Sequence, residues 1–121
     1  MRAELRYLHS PDVLDLENNK PEDPANFCIL VQAMIGPRGS IGEESFDFLV
    51  CTPRWLEDKV GKSSYVFGRH YLILGSYDYG VLRSAVEELC NRFVEPDWHS
   101  IAEKLGRYGK WEFEDYRGQN S

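Results

Sequence analysis

The sequence predicts an α+β fold in a single domain over residues 1–121, a mostly antiparallel sheet of four to five strands with two to three helices packed on one face. Three observations predict it. The first half alternates apolar and polar residues at strand period around a glycine-rich turn, and the second half carries two apolar stripes at helical spacing. A chain of 121 residues also hides roughly two-thirds of its unfolded surface in one core. With 42% hydrophobic and 13% aromatic residues, large rings are available to fill that core, which argues against intrinsic disorder.

In Arg2 to His9, Ala3, Leu5 and Tyr7 alternate with Arg2, Glu4 and Arg6, predicting a half-buried edge or outer strand. Ser10 to Asn26 is dense in turn formers, with Pro11, Pro21 and Pro24, and reads as an ordered loop with one helical turn at Val13 to Leu16. The nearly continuous apolar run Phe27 to Ile35 suits a central strand covered on both faces. Gly36, Pro37, Gly39 and Gly42 mark a hairpin connection. Strand alternation then resumes from Glu43 to Cys51, with Phe46, Phe48 and Val50 expected inside and Glu43, Ser45 and Asp47 outside.

Thr52 and Pro53 form an N-cap and first helical residue, opening a short helix that stops near Gly61. His70 to Gly75 reads as a further strand. Asp78 caps a helix whose Leu82, Ala85, Val86, Leu89 and Phe93 form one stripe, the strongest helix signal in the chain. Pro96 separates a last helix, capped by Asp97, bearing Trp98, Ile101, Ala102 and Leu105 and stopped by Gly106. Trp111 to Tyr116 alternates large apolar with acidic residues and adds an edge strand before a frayed polar tail. At least two of Trp55, Trp98 and Trp111 are expected to be buried, with Trp111, closely followed by acids, the expected exception and exposed partner anchor.

The balance is acidic, 20 Asp+Glu against 14 Lys+Arg for a net charge of -6, and the excess lies mainly before Val60. Direct binding to nucleic acid is disfavoured, since phosphates demand a basic face. Solubility accounts for such a charge; a sharper reading is an acidic surface that meets a basic partner. Cys28, Cys51 and Cys90 are odd in number and set in or beside apolar runs, so they read as buried free thiols in a reducing compartment. The N-terminus lacks a secretory signal's continuous apolar core, and no apolar stretch approaches a membrane span.

No catalytic, metal or cofactor motif emerges. His9, His70, His99 and the cysteines lie outside any recognisable local motif, metal-ligand spacings such as CxxC and HxxxH are missing, and the hairpin glycines lack a P-loop's Lys-Ser/Thr ending. Two acidic clusters remain, Glu43, Glu44 and Asp47, and Glu112, Glu114 and Asp115. They read first as solvated strand positions, second as carboxylates for a partner's Arg and Lys, and a distant third as a metal-assisted acid–base site.

The segments QAMIGPRGSIGEESFDFLVCTPRWL, YDYG before the long helix and GKWEFEDY near the end run in the order of the immunity protein 8 family, which the chain resembles from Gln32 to Tyr116. The resemblance is least distinct in the loop Ser10 to Asn26. It implies an α+β protein, encoded beside a secreted or contact-delivered toxin, that binds and inhibits that toxin in the cytoplasm of the producing bacterial cell. It supplies no catalytic residue, cofactor or metal. The expectation is therefore a non-enzyme whose partner is a cognate toxin domain, with a nuclease or deaminase the leading class. The partner-binding residues expected are Glu43, Glu44, Asp47, Trp111, Glu112, Glu114 and Asp115. The rivals are a small metal-assisted hydrolase using Glu112, Glu114 and Asp115, and a structural adaptor subunit.

Overall fold

The computed structural model describes residues 1–115. In chain order its elements are β1 (Ala3–His9), β2 (Cys28–Pro37), β3 (Glu44–Cys51), α1 (Pro53–Ser63), β4 (Tyr71–Ile73), α2 (Tyr79–Asn91), α3 (Trp98–Leu105) and β5 (Lys110–Trp111). The α+β class holds. The five-stranded sheet runs β1-β2-β3-β4, and β5 also pairs with β3. Three pairings are antiparallel, while β4 joins β3 in parallel because α1 carries the chain back to the sheet's other end.

Register fixes which face is buried. Val31 opposes Phe48 and Ala33 opposes Phe46, while Leu5 opposes Ile35, and all six are buried. The α2 stripe adds Leu82, Val86 and Leu89, and α3 adds Ile101, Ala102 and Leu105. Each of the Val, Leu, Ile and Phe side chains among them contributes roughly 1.5–3 kcal/mol by leaving water. The expected strand phase at Phe46, Phe48 and Val50 is the one observed. Two of the three predicted side-chain caps form, Asp78 accepting from the Val81 N–H at 3.1 Å and Asp97 from the Ser100 N–H at 2.8 Å.

Several expectations need correction. The run at β2 is buried on one face only, with Cys28, Leu30, Gln32 and Met34 half-exposed on the other, because α2 and α3 both lie on the opposite side. Helix α1 runs beyond Gly61 to Ser63, ends on Ser64 in the left-handed region at φ 73, and buries no side chain. Its Trp55 instead meets Tyr71, which register places on the outer face opposite Leu49. Thr52 holds the N-cap position but its side chain makes no cap bond to α1: the hydroxyl instead accepts from the Phe27 N–H and ties α1's start to β2.

No helical turn forms at Val13 to Leu16. The loop is held from outside, by Leu16 in the core, Tyr77 Oη donating to the Leu16 carbonyl at 2.5 Å and Asp12 accepting from the Leu30 N–H at 2.8 Å. Strand β5 has two residues, after which 112–115 turn, and Tyr116 with the tail lies outside the described residues. Trp111, expected to be the exposed exception, is the most enclosed tryptophan at 8%, with Trp55 and Trp98 half-buried.

Candidate partner-binding surface

The two acidic clusters, far apart in sequence, meet at one end of β3. The connection from α3 brings Gly109 so close to the Phe48 ring that a Cβ there would lie 2.5 Å from Cζ, and β5 then pairs Trp111 with Phe46 and Lys110 with Asp47. The ladder continues one residue further. The Glu112 N–H donates to the Ser45 carbonyl at 3.1 Å, while the Ser45 N–H donates to the Glu112 carboxylate at 2.8 Å.

Within this junction Glu44 has an internal role. Its Oε1 accepts the indole N–H of Trp98 at 2.7 Å and that of Trp111 at 2.9 Å. The fully buried Phe46 ring stacks on Trp111 with centroids 6.5 Å apart and meets Trp98 edge-on at 6.4 Å. One half-buried carboxylate thus joins α3 and β5 to the first residue of β3, and charge-assisted bonds of this kind are about twice as strong as neutral ones. Glu44 and Trp111 form a strut under the surface.

The other acids lie around that strut. Glu43, Glu112 and Asp115 are exposed, and Asp47 and Glu114 are partly so. Among the described residues, Asp47 Oδ1 is buried without a hydrogen-bond partner. Glu114 pairs with Arg69 and lies 4.0 Å from His70 Nε2, which is itself 3.0 Å from the Gly106 carbonyl. Asp115 adopts φ 62, in the left-handed region that turns the chain away from β5. A cleft of about 470 Å³ opens beside the junction, lined by His99, Glu103, Arg107, Trp111, Phe113 and Glu114 among others. His99 bonds Glu103 at 2.6 Å and stands edge-on to Trp111.

The three C-terminal carboxylates do not converge. Glu112 caps the end of β3, Glu114 turns to Arg69, and Asp115 faces outward. Among the described residues, no group of three or more His, Cys, Asp or Glu is placed to hold a metal ion. No helix among them is long and apolar enough to cross a membrane.

The sequence does not place His99, Glu103 or Arg69 at this surface, because their segments meet through the β3–β4 and β3–β5 pairings and contacts at Gly106, not through proximity along the chain. Glu44 did leave a signal. The same alternation that puts Phe46, Phe48 and Val50 inward puts Glu44 inward with them, and an inward carboxylate requires donors.

No curated protein and no solved structure matches the chain. The family model described as immunity protein 8 matches residues 3–116, including the N-terminal loop and both acidic clusters, and the chain therefore belongs to the immunity protein 8 family.

Proposed function

We propose that this protein neutralises a cognate polymorphic toxin by forming a one-to-one complex, in which the acidic β3–β5 end covers a basic toxin surface and shuts out its substrate. Family membership implies the toxin partner. The observation that supports the surface is the β3–β5 pairing, which gathers Glu43, Asp47, Glu112, Glu114 and Asp115 at one end of the sheet. Arg and Lys of a partner make charge-assisted hydrogen bonds to such carboxylates, and the field of the cluster speeds their encounter. Glu44 and Trp111 serve this surface from below, by holding β5 and α3 in place.

A nuclease or nucleic-acid deaminase is the toxin class this chemistry fits best. Such an enzyme binds phosphates with a positive surface, and an array of carboxylates competes for the same cations. The role is binding without catalysis, in the cytoplasm of the producing bacterial cell. The hydrolase alternative gains no support from three carboxylates engaged in three directions.

Co-expression with the toxin encoded next to the gene tests the reading. Survival of the host and recovery of a co-purifying complex are expected. Persistent toxicity in cells that contain soluble, folded protein contradicts it.

A further inference from the structure

The three cysteines are unlinked in sequence spacing, yet two of them face each other in the fold. Cys28, the first residue of β2, is the register partner of Cys51, the last residue of β3. The hydrogen-bond phase of the ladder defines the kind of pair they make. The Thr52 N–H donates to the Phe27 carbonyl at 3.3 Å, so Phe27 and Thr52 occupy a hydrogen-bonded site and the adjacent Cys28–Cys51 pair a non-hydrogen-bonded one. Two neighbouring strand contacts agree, since the Leu49 N–H points to the His70 carbonyl and the Ser45 N–H to Glu112, both away from β2. At non-hydrogen-bonded sites of antiparallel strands the Cα atoms approach to roughly 4.5 Å and the side chains share one face. That separation lies within the range of roughly 4.4–6.8 Å spanned by disulfides.

We propose that Cys28 and Cys51 are a redox site, which a low-molecular-weight disulfide of the glutathione type converts to a cross-strand bridge between the two central strands.

Exposure orders the steps. Cys28 is half-exposed and Cys51 fully buried, so the external disulfide meets Cys28 first. The Cys28 thiolate attacks one sulfur of the small disulfide, forming a mixed disulfide and releasing one small thiolate. Cys51, needing no contact with solvent, then attacks Cys28 Sγ as its thiolate, forming the Cys28–Cys51 bond and releasing the second small thiolate. The two protons lost by the cysteines go to the two small thiols; the protein pair is oxidised by two electrons and the small disulfide reduced by two. Burial raises both thiols and pushes Cys51 up to about 11, with the neighbouring Cys28 its second cause, so the exchange is slow at neutral pH and faster under mildly alkaline conditions.

The bridge sits where the Thr52 hydroxyl already fastens α1's start to Phe27, and it closes a loop of about 23 residues that contains the β2–β3 hairpin. The acidic surface begins at Asp47, four residues earlier on β3 and thus roughly 13 Å away, so the clamp leaves it unchanged.

Equilibration of the native protein with oxidised glutathione tests the proposal. The intact mass is expected to fall by two hydrogens, proteolysis to yield fragments joined through Cys28 and Cys51, and the melting temperature to rise by on the order of 5–10 °C. Cys90→Ser should behave as the parent does, whereas Cys28→Ser should show neither the mass loss nor the thermal shift. The parent's own fragment map stands even if a variant fails to fold. A stable glutathione adduct at Cys28, a bond to Cys90 or between chains, or a native protein that stays reduced while its urea-unfolded form is oxidised would each overturn the proposal.

Discussion

Removing the Glu44 carboxylate takes away the acceptor that, among the described residues, joins the Trp98 and Trp111 indoles to β3. Its two hydrogen bonds, 2.7 and 2.9 Å long, are to a charged group and fall in the class worth roughly 1.5–3 kcal/mol each. Trp98 is half-buried, so water replaces part of its bond and the lower figure applies, whereas Trp111 is 8% exposed and stays unpaired. Glu44→Ala is therefore expected to cost about 3–4 kcal/mol. Glu44→Gln, which keeps an amide oxygen but loses the charge, should cost about 1–2 kcal/mol. Urea unfolding at neutral pH, followed by far-ultraviolet circular dichroism, measures both, with an unchanged slope showing that the loss lies in the native state. Pairing each variant with Trp111→Phe in a double-mutant cycle isolates the bond itself. A Glu44→Ala protein within about 0.5 kcal/mol of the parent would refute the strut.

Three further outcomes follow from the same packing. Gly109→Ala should lose about 1–3 kcal/mol in chemical denaturation, because its Cβ would meet the Phe48 ring at 2.5 Å; unchanged stability would mean that the connection to β5 shifts freely. Phe46→Ala should cost about 3–5 kcal/mol and Phe67→Ala, 84% exposed, no more than about 0.5 kcal/mol, and equal losses would contradict the assigned core. Hydrogen bonds from Ser100, the backbone one first, hold the Asp97 carboxyl below its ordinary 3.8, so its stabilising effect is present above that pH and lost as pH falls through the lower folded value. Asp97→Ala should accordingly lower the melting temperature at neutral pH and converge on the parent below pH 3.8, and a pH-independent gap would argue against the cap.

Local signals carried most of the fold. Period-two alternation gave the phase of β3, turn chemistry gave the hairpin at Gly39 and Gly42, and Asp78 and Asp97 marked two helix starts that form as expected. What failed was set by long-range contacts. The apolar run of β2 suggested cover on both faces, but hydrophobicity does not say on which side helices will lie. The parallel β4 depends on where α1 returns the chain, and Trp111 is buried because β5 adds to β3 at Phe46, not because of its acidic neighbours. The candidate surface was legible as two acidic clusters and Glu44 as an inward-facing carboxylate of β3; the union of the clusters and the donors that Glu44 meets were not, since they follow from contacts between residues 54 to 67 positions apart.

The most direct test of the acidic surface is the association rate with the cognate toxin measured against ionic strength. Glu43→Lys with Asp115→Lys, both at exposed positions, should leave the fold intact, slow association and flatten its salt dependence, because charges at the rim act through long-range steering. A complex that forms at the parent rate, with the parent's salt dependence, would contradict the acidic β3–β5 end as the toxin-binding surface.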